Sequence, residues 1–166
     1  VGENGTGQVK FQVQGLSLGI HQGSIRLVGD DGLAIDDTRY FTIRVRAPWQ
    51  VLVLAPEAVP ARFFTEAISP FSLRQTGQAQ FNCTVVRQGE AGSEVLADQQ
   101  LEDFAAICLI DRQPLAEADW QRLLQFASQG GGIGFMLGHN ADVAGFGNPL
   151  AEQLLGGRLL RQWRPA

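Results

Sequence analysis

The amino-acid sequence predicts an α/β fold with a parallel sheet, preceded by a partial antiparallel β-sandwich segment. In residues 8–45 apolar and polar side chains alternate and turn-forming residues separate the runs, as is typical of half-buried antiparallel strands. After Pro48 continuous apolar runs alternate with stretches of helical spacing, as is typical of buried parallel strands joined by helices. This change predicts two domains: an Ig-like partial β-sandwich in residues 1–47 and an α/β domain in residues 48–166.

Three runs of the first segment are expected to form strands: residues 8–14, 24–28 and 40–45. The pair Asp31-Gly32, between the last two runs, tolerates the positive φ of a tight turn. So few strands cannot bury both faces of a core, so we expect the other strands of the sandwich to lie upstream in a longer protein. Because an unpaired sheet edge invites another strand, self-association through this β edge is also expected.

Four apolar runs of the second segment are predicted to be parallel strands: residues 51–55, 81–86, 106–110 and 133–137. Repeated strand–helix–strand units require right-handed crossovers, and short units of this kind usually form a doubly wound sheet of order 2-1-3-4, which is flavodoxin-like. Four strands are one fewer than usual, so we expect the domain to be truncated at its C-terminus. In this order the first strand separates Cys83 from Cys108, so both are expected to be free, buried thiols.

Apolar residues at helical spacing predict three helices in this segment. The helices run from Pro60 or Ala61 to about Pro70, over residues 114–128, and from Asn148 or Pro149 to Leu155. The buried face of the first helix is expected to contain Phe63, Phe64, Ala67 and Ile68. A shorter helical turn is expected to begin at Asp98.

The charge balance excludes several classes of function. Because 13 basic residues stand against 17 acidic ones, the net charge is -4 and the basic surface that nucleic-acid binding needs is missing. The one lysine, Lys10, does not lie in a glycine-rich loop, which excludes a P-loop nucleotide site. No apolar run approaches the roughly 18 residues that span a bilayer, so membrane contact is expected only through other parts of a longer protein. No cofactor is expected.

The candidate ligand site lies where the predicted parallel strands end, because ligands of open α/β sheets bind outside the carboxyl ends of the strands. In this sequence that crevice gathers Pro56, Glu57, Asp111, Gly138, His139 and Asn140. Two interpretations are open for Asp111 and His139. In the first they form an acid–base pair or supply two metal ligands. In the second Asp111 caps a helix or holds a loop, and His139 packs against the turn. The structural role is favoured, and no metal site is expected, because the only other histidine is His21 in the first segment.

Two stretches resemble known families. Residues 29–41, GDDGLAIDDTRYF, look like the end of the β-sandwich of bacterial aerotolerance-operon (Bat) proteins, also known as N-terminal double-transmembrane-region proteins. This resemblance implies a soluble segment of a membrane-anchored bacterial protein, located in the periplasm or otherwise outside the cytoplasm. Residues 130–140, GGGIGFMLGHN, look like the central elbow of the class I glutamine amidotransferase-like fold, where a glycine-rich turn leads into a strand that ends in the nucleophile.

Carried onto this sequence, the amidotransferase cysteine falls on Met136, just before Gly138-His139. A thioether cannot be deprotonated and cannot attack a carbonyl. The family's catalytic His and Glu lie downstream of the elbow, where this sequence has no further histidine. We therefore expect no enzymatic activity and a non-catalytic scaffold or interaction module that binds protein partners. The alternative is a ligand-binding or hydrolase domain that uses Asp111 and His139.

Overall fold

The computed structural model describes residues 7–29, 37–87, 94–111, 115–141 and 143–161. The chain divides into two compact units, residues 1–47 and residues 48–166. This division falls where the sequence changes from two-residue alternation to the strand–helix repeat. Within the described ranges, no helix combines the length and the apolar character that crossing a membrane requires.

The first unit contains one antiparallel pair of strands, β1 (Gly19–Arg26) and β2 (Thr38–Val45). The two strands pair along their whole length. On one face the ring of Phe41 lies directly over Gly23, where an added Cβ would come within 2.4 Å of the ring. Glycine is therefore required at residue 23 for the aromatic ring to lie flat across the sheet.

The strand predicted over residues 8–14 is wrong, because these residues form no strand. Val9, Phe11 and Val13 are 73%, 67% and 55% exposed. Alternation alone does not make a strand, since the backbone N–H and C=O groups also need a neighbouring strand as hydrogen-bond partner. Within the described residues, β1 and β2 pair only with each other.

The second predicted strand, residues 24–28, is shifted towards the N-terminus. Strand β1 begins at Gly19 because the register places this residue opposite Val45, the last residue of β2. Beyond β1, the Leu27 N–H still donates to the Asp37 carbonyl at 2.9 Å. The predicted turn at residues 31–32 lies outside the described residues, and the partial β-sandwich stays a prediction.

The second unit is built on a four-stranded parallel sheet. Its strands are β3 (Trp49–Ala55), β4 (Phe81–Arg87), β5 (Ala106–Ile110) and β6 (Gly132–Met136). Their spatial order is β4-β3-β5-β6, which places the first strand of the unit between the second and the third. Residues 51–55 of β3 are all buried, as a strand covered on both faces requires.

In the described ranges, five helices and one 3₁₀ turn connect or follow these strands. They are α1 (Ala58–Ile68), α2 (Phe71–Gln75), the 3₁₀ turn (Leu101–Asp103), α3 (Glu117–Ser128), α4 (Val143–Phe146) and α5 (Pro149–Leu155). The last helix follows its local signals: the Asn148 side chain accepts a hydrogen bond from the Leu150 N–H at 2.8 Å, and Gly156 adopts the left-handed conformation at the other end.

Three predicted helix boundaries are corrected. Helix α1 begins at Ala58, since Pro60 fits its first turn, where a backbone N–H has no helical partner. The turn expected at Asp98 begins instead at Leu101. The start predicted for α3 at residue 114 lies outside the described residues, and the described helix begins at Glu117.

Helices cover both faces of the parallel sheet. On one face Leu52 and Leu54 pack in a core with Trp120 and Leu123 of α3. On the other face Val51 and its neighbours on β3 pack against α1. Two-residue alternation along β3 thus divides its buried side chains between two separate cores.

The buried face of α1 differs from the predicted one. Ala61, Phe64 and Ile68 pack against the sheet, whereas Phe63 is 75% exposed. The packed positions follow the spacing i, i+3, i+7 of one helix face. Phe63 does not occupy one of these positions, so its side chain is exposed although it is apolar.

The prediction of free cysteines is confirmed. Cys83 on β4 and Cys108 on β5 lie on either side of β3. Both side chains are half-buried rather than fully buried, which corrects the expected burial. Burial raises the pKa of both thiols above the ordinary value.

Candidate functional site

The predicted crevice residues lie at the carboxyl edge of the parallel sheet, after three of its strands. Asp111 directly follows β5, and residues 138–140 follow β6. Pro56 and Glu57 follow β3, and Glu57 occupies the N-cap position of α1 without a side-chain capping hydrogen bond. Within the described residues, no hydrogen bond or ion pair joins Glu57 to Asp111 or to the turn after β6.

The carboxylate of Asp111 organises the turn that follows β6. Its Oδ1 accepts the backbone N–H of Asn140 at 2.8 Å, and its Oδ2 accepts the side-chain Nδ2 of Asn140 at 3.1 Å. The same Oδ2 lies 2.9 Å from Nδ1 of His139. The turn is closed by the Ala141 N–H, which donates to the Gly138 carbonyl at 3.3 Å. The Asp111 side chain is 15% exposed, so these contacts form in a partly buried environment.

The backbone of Asp111 is also unusual. Its φ is 43°, and among the described residues it is the only residue other than glycine with a positive φ. Aspartate tolerates this left-handed conformation better than most residues because its short side chain bonds to nearby backbone groups. The Asp111 N–H donates to the Met136 carbonyl at 2.7 Å, which ties the bend to the end of β6.

Gly138 allows the turn to approach this carboxylate closely. A Cβ at Gly138 would lie 2.4 Å from Oδ1 and 2.5 Å from Cγ of Asp111. Such distances are far below van der Waals contact, so any other residue would push the carboxylate or the turn away. The glycine and the aspartate therefore form one structural unit, although 27 residues separate them (138 − 111).

The imidazole of His139 is the group of this cluster that can both donate and accept a proton. Its side chain is 82% exposed, and the Asp111 carboxylate beside Nδ1 favours the tautomer that carries its proton there. This arrangement orients an imidazole for proton exchange with a bound molecule. Within the described residues, no group of three or more His, Cys, Asp and Glu side chains is placed to hold a metal ion.

Met136 is the last residue of β6 and lies just before the turn that Asp111 organises. Its side chain is 41% exposed. In the amidotransferase-like interpretation this is the position of the nucleophile, and a thioether supplies none. The cluster thus combines an oriented histidine with a strand end that carries no nucleophile.

Two features of this unit were not predicted from the sequence. The buried indole of Trp120 packs between Phe135 and Phe146, and its Nε1 has no hydrogen-bond partner among the described residues. At the opposite, amino edge of the sheet a surface depression lies beside Trp49 and Glu102. The depression was not predicted because ligands of open α/β sheets usually bind at the carboxyl edge.

Comparisons with protein-family models, with curated proteins and with solved structures found no match for this chain.

Proposed function

We propose that this chain is a non-catalytic interaction module of a membrane-anchored bacterial protein. In this proposal the second unit is a flavodoxin-like domain of the class I glutamine amidotransferase-like type that has lost its nucleophile. The first unit supplies a β surface that docks on protein partners, including a second copy of the chain. The resemblance of residues 29–41 to Bat proteins supports a location outside the cytoplasm.

The partly exposed apolar face of the β1–β2 pair carries this proposal. We call this set the hairpin face; it consists of Ile25, Phe41, Ile43 and Val45. These side chains share one face because alternate residues of a strand point the same way. Among the described residues of the first unit no apolar side chain is buried, and Ile25 and Phe41 are 41% and 37% exposed.

A two-stranded sheet with an uncovered apolar face is marginally stable in water. Its outer edges also present backbone N–H and C=O groups that a further strand would satisfy. A strand from a partner pairs this edge, which is a common mode of recognition, and packing of the same partner against the apolar face removes its side chains from water. The first unit therefore gains stability by docking.

The contacts of Asp111 support the absence of catalysis. Both carboxylate oxygens of Asp111 accept hydrogen bonds from the turn after β6, in which Asn140 donates through its backbone N–H and its side-chain Nδ2. A carboxylate that holds a turn in this way has a sufficient structural role. With Met136 at the strand end, the cluster lacks the nucleophile that covalent glutaminase chemistry needs.

Sedimentation velocity over a range of protein concentrations tests the docking surface. We expect the chain to associate as concentration rises, and Phe41→Lys to weaken this association because it places a charge on the hairpin face. Tyr40→Lys is the matched control, since Tyr40 is 84% exposed and points to the opposite face of β2. A chain that stays monomeric at every concentration would contradict self-association, and equal effects of both variants would contradict the assigned face.

Activity measurements test the non-catalytic part of the proposal. We expect no hydrolysis of glutamine above background, and none after Met136→Cys, because no histidine follows His139 in the sequence, where the amidotransferase family has its catalytic base. Turnover by the unmodified chain that disappears with Met136→Ala would overturn the proposal. Turnover created by Met136→Cys would point to a base near His139.

A second candidate function is ligand binding or hydrolysis at the Asp111–His139 pair. The 2.9 Å contact between Nδ1 and the carboxylate, together with the exposed ring, favours it. A thermal-shift screen of metabolites and metal ions separates the two candidates, since a ligand at 100 times its dissociation constant adds about 2.7 kcal/mol of stability. A shift that His139→Ala abolishes would favour this candidate over the interaction module.

A further inference from the structure

A continuous groove lies at the amino edge of the parallel sheet, away from the Asp111 cluster. It runs between the 3₁₀ turn and the C-terminal part of α3 and consists of two cavities of about 350 and 340 Å³. The cavities share three lining residues, Glu102, Phe126 and Gln129. We call this surface the amino-edge groove. Its two volumes lie at the lower end of the range of small-ligand clefts, so each accepts one side chain or a similar group.

Among the described residues, the charges that line the cavity beside Trp49 favour a cation. Glu102 is exposed, and no hydrogen bond or ion pair engages its carboxylate within the part of the chain that the structure describes. The last turn of α3 also ends beside the groove without a basic residue, so the partial negative charge of the helix end is not offset. Both features lower the electrostatic energy of a positive group placed between them.

Among the described residues, Arg122 is the one basic residue that lines the groove, and its guanidinium is hydrogen-bonded. The guanidinium of Arg122 donates hydrogen bonds to the backbone carbonyls of Leu96 and Gln99, the second at 2.6 Å. Arg122 lines only the cavity farther from Trp49, whereas Glu102 lines both. Within the part of the chain that the structure describes, the cavity that contains Trp49 is therefore lined by an acidic side chain and by no basic one.

Aromatic side chains complete this second cavity. Trp49 is 53% exposed at the start of β3, and Phe104 lines the cavity beside it. The buried ring of Phe126 lies so close to Gly131 that a Cβ there would come within 2.3 Å of it. An exposed indole next to a carboxylate is a favourable environment for a cation, since the ring face attracts positive charge.

We propose that the amino-edge groove binds an arginine side chain of a partner protein, with the guanidinium between the Trp49 indole and the Glu102 carboxylate. A guanidinium suits this pair because it stacks on an aromatic face and donates two parallel hydrogen bonds to a carboxylate. The alkyl part of the arginine covers the apolar lining supplied by Phe104. This site is independent of the function proposed above, because it uses no residue of the hairpin face or of the Asp111 cluster.

The test uses two peptides that differ in one group. Acetyl-Gly-Arg-Gly-amide carries the guanidinium, and its citrulline counterpart replaces it with a neutral urea of nearly the same shape. Binding to the whole chain is followed by titration calorimetry and by tryptophan fluorescence. We expect the arginine peptide to bind and the citrulline peptide to bind at least about tenfold more weakly, because hydrogen bonds to charged groups contribute on that order.

Matched variants connect the binding to the groove. Glu102→Gln removes the charge at nearly constant shape, and we expect about a tenfold loss of affinity for the arginine peptide. Asp103→Asn is the control, because Asp103 is an exposed carboxylate of the same 3₁₀ turn that does not line either cavity. Trp49→Leu is expected to weaken binding as well. Circular dichroism verifies that all three variants fold.

Absence of arginine-peptide binding at millimolar concentration would overturn the proposal. Equal losses from Glu102→Gln and Asp103→Asn would also overturn it, because they would indicate non-specific attraction to an acidic surface. Self-association of the hairpin face is measured separately by sedimentation and should not change with Glu102→Gln. Failure of this proposal is therefore distinguishable from failure of the proposed interaction module.

Discussion

Replacing Asp111 tests whether its carboxylate holds the turn after β6. The residue makes two separable contributions: its oxygens accept hydrogen bonds from Asn140, and its backbone adopts a φ of 43°. Three substitutions divide these contributions. Asp111→Asn keeps a side-chain oxygen and tolerance of positive φ, Asp111→Gly keeps only the backbone freedom, and Asp111→Ala keeps neither.

The expected magnitudes follow from these contacts. A hydrogen bond to a charged group contributes about 1.5 to 3 kcal/mol, and the Asp111 carboxylate, at 15% exposure, is shielded enough for this range to apply. A left-handed alanine costs roughly 1 kcal/mol more than glycine at the same position. We therefore expect Asp111→Ala to lower the free energy of unfolding by about 2 to 4 kcal/mol, Asp111→Gly by about 1 kcal/mol less, and Asp111→Asn by about 1 kcal/mol.

Urea titration followed by tryptophan fluorescence measures these differences. The signal reports the second unit, because Trp49 and the buried Trp120 both belong to it. If all three Asp111 variants lay within about 0.5 kcal/mol of the unmodified chain, as ordinary surface substitutions do, the carboxylate would not hold the turn. If Asp111→Gly were no more stable than Asp111→Ala, the positive φ would carry no strain.

Three further predictions concern other contacts of the second unit. Gly138→Ala should lower the free energy of unfolding by about 1 to 3 kcal/mol, because its Cβ would lie 2.4 Å from the Asp111 carboxylate. The Arg74 hydrogen bond holds the pKa of Glu66 below its ordinary value. This ion pair therefore stabilises the fold at pH values above the ordinary carboxyl pKa, and the stabilisation is lost as the pH falls through the lowered pKa of Glu66. The melting temperatures of the unmodified chain and of Glu66→Gln should consequently differ at pH 7 and converge in acid. Because burial raises the pKa of both cysteine thiols, their alkylation should be slow in the native chain at pH 8 and quicken as the pH rises.

Each of these predictions has a control. Gly157→Ala should be nearly neutral, since no atom lies within 4 Å of its added Cβ, and a cost equal to that of Gly138→Ala would contradict the packing argument. A stability difference for Glu66→Gln that persisted unchanged into acid would mean that the ion pair is not its source. After denaturation without reductant two thiols should be titrated, whereas none would indicate a disulfide.

The sequence by itself determined the central elements of the second unit. The runs 106–110 and 51–55 are continuous apolar segments because their strands are covered on both faces. Burial of this kind can therefore be recognised from the amino-acid composition of each run. Helix α5 was also predictable from the sequence, because the capping residues Asn148 and Gly156 act on the backbone within one helical turn of their own positions. Such signals depend on neighbours along the chain and require no knowledge of the fold.

The candidate site stays a prediction, but the structure places its residues. The rule for parallel sheets put Asp111, His139 and Asn140 at one edge, and hydrogen bonds and a close ion-pair contact join these three residues. The rule also put Pro56 and Glu57 there; they follow the neighbouring strand, and among the described residues no hydrogen bond or ion pair joins Glu57 to Asp111 or Asn140. Strand order places residues at an edge, but the path of each loop beyond the strand decides which side chains meet.

Tertiary structure decided the remaining features, because they depend on contacts between distant parts of the chain. Val9, Phe11 and Val13 alternate as a strand would, yet no neighbouring strand pairs with them. In the sequence Gly138 resembles an ordinary turn residue. Only the folded structure shows that the carboxylate of Asp111, which follows β5, lies against the position that a Cβ of residue 138 would occupy. Periodicity and caps are local properties of a sequence, whereas pairing, close approach and the shape of a groove arise only when packing brings separate segments into contact.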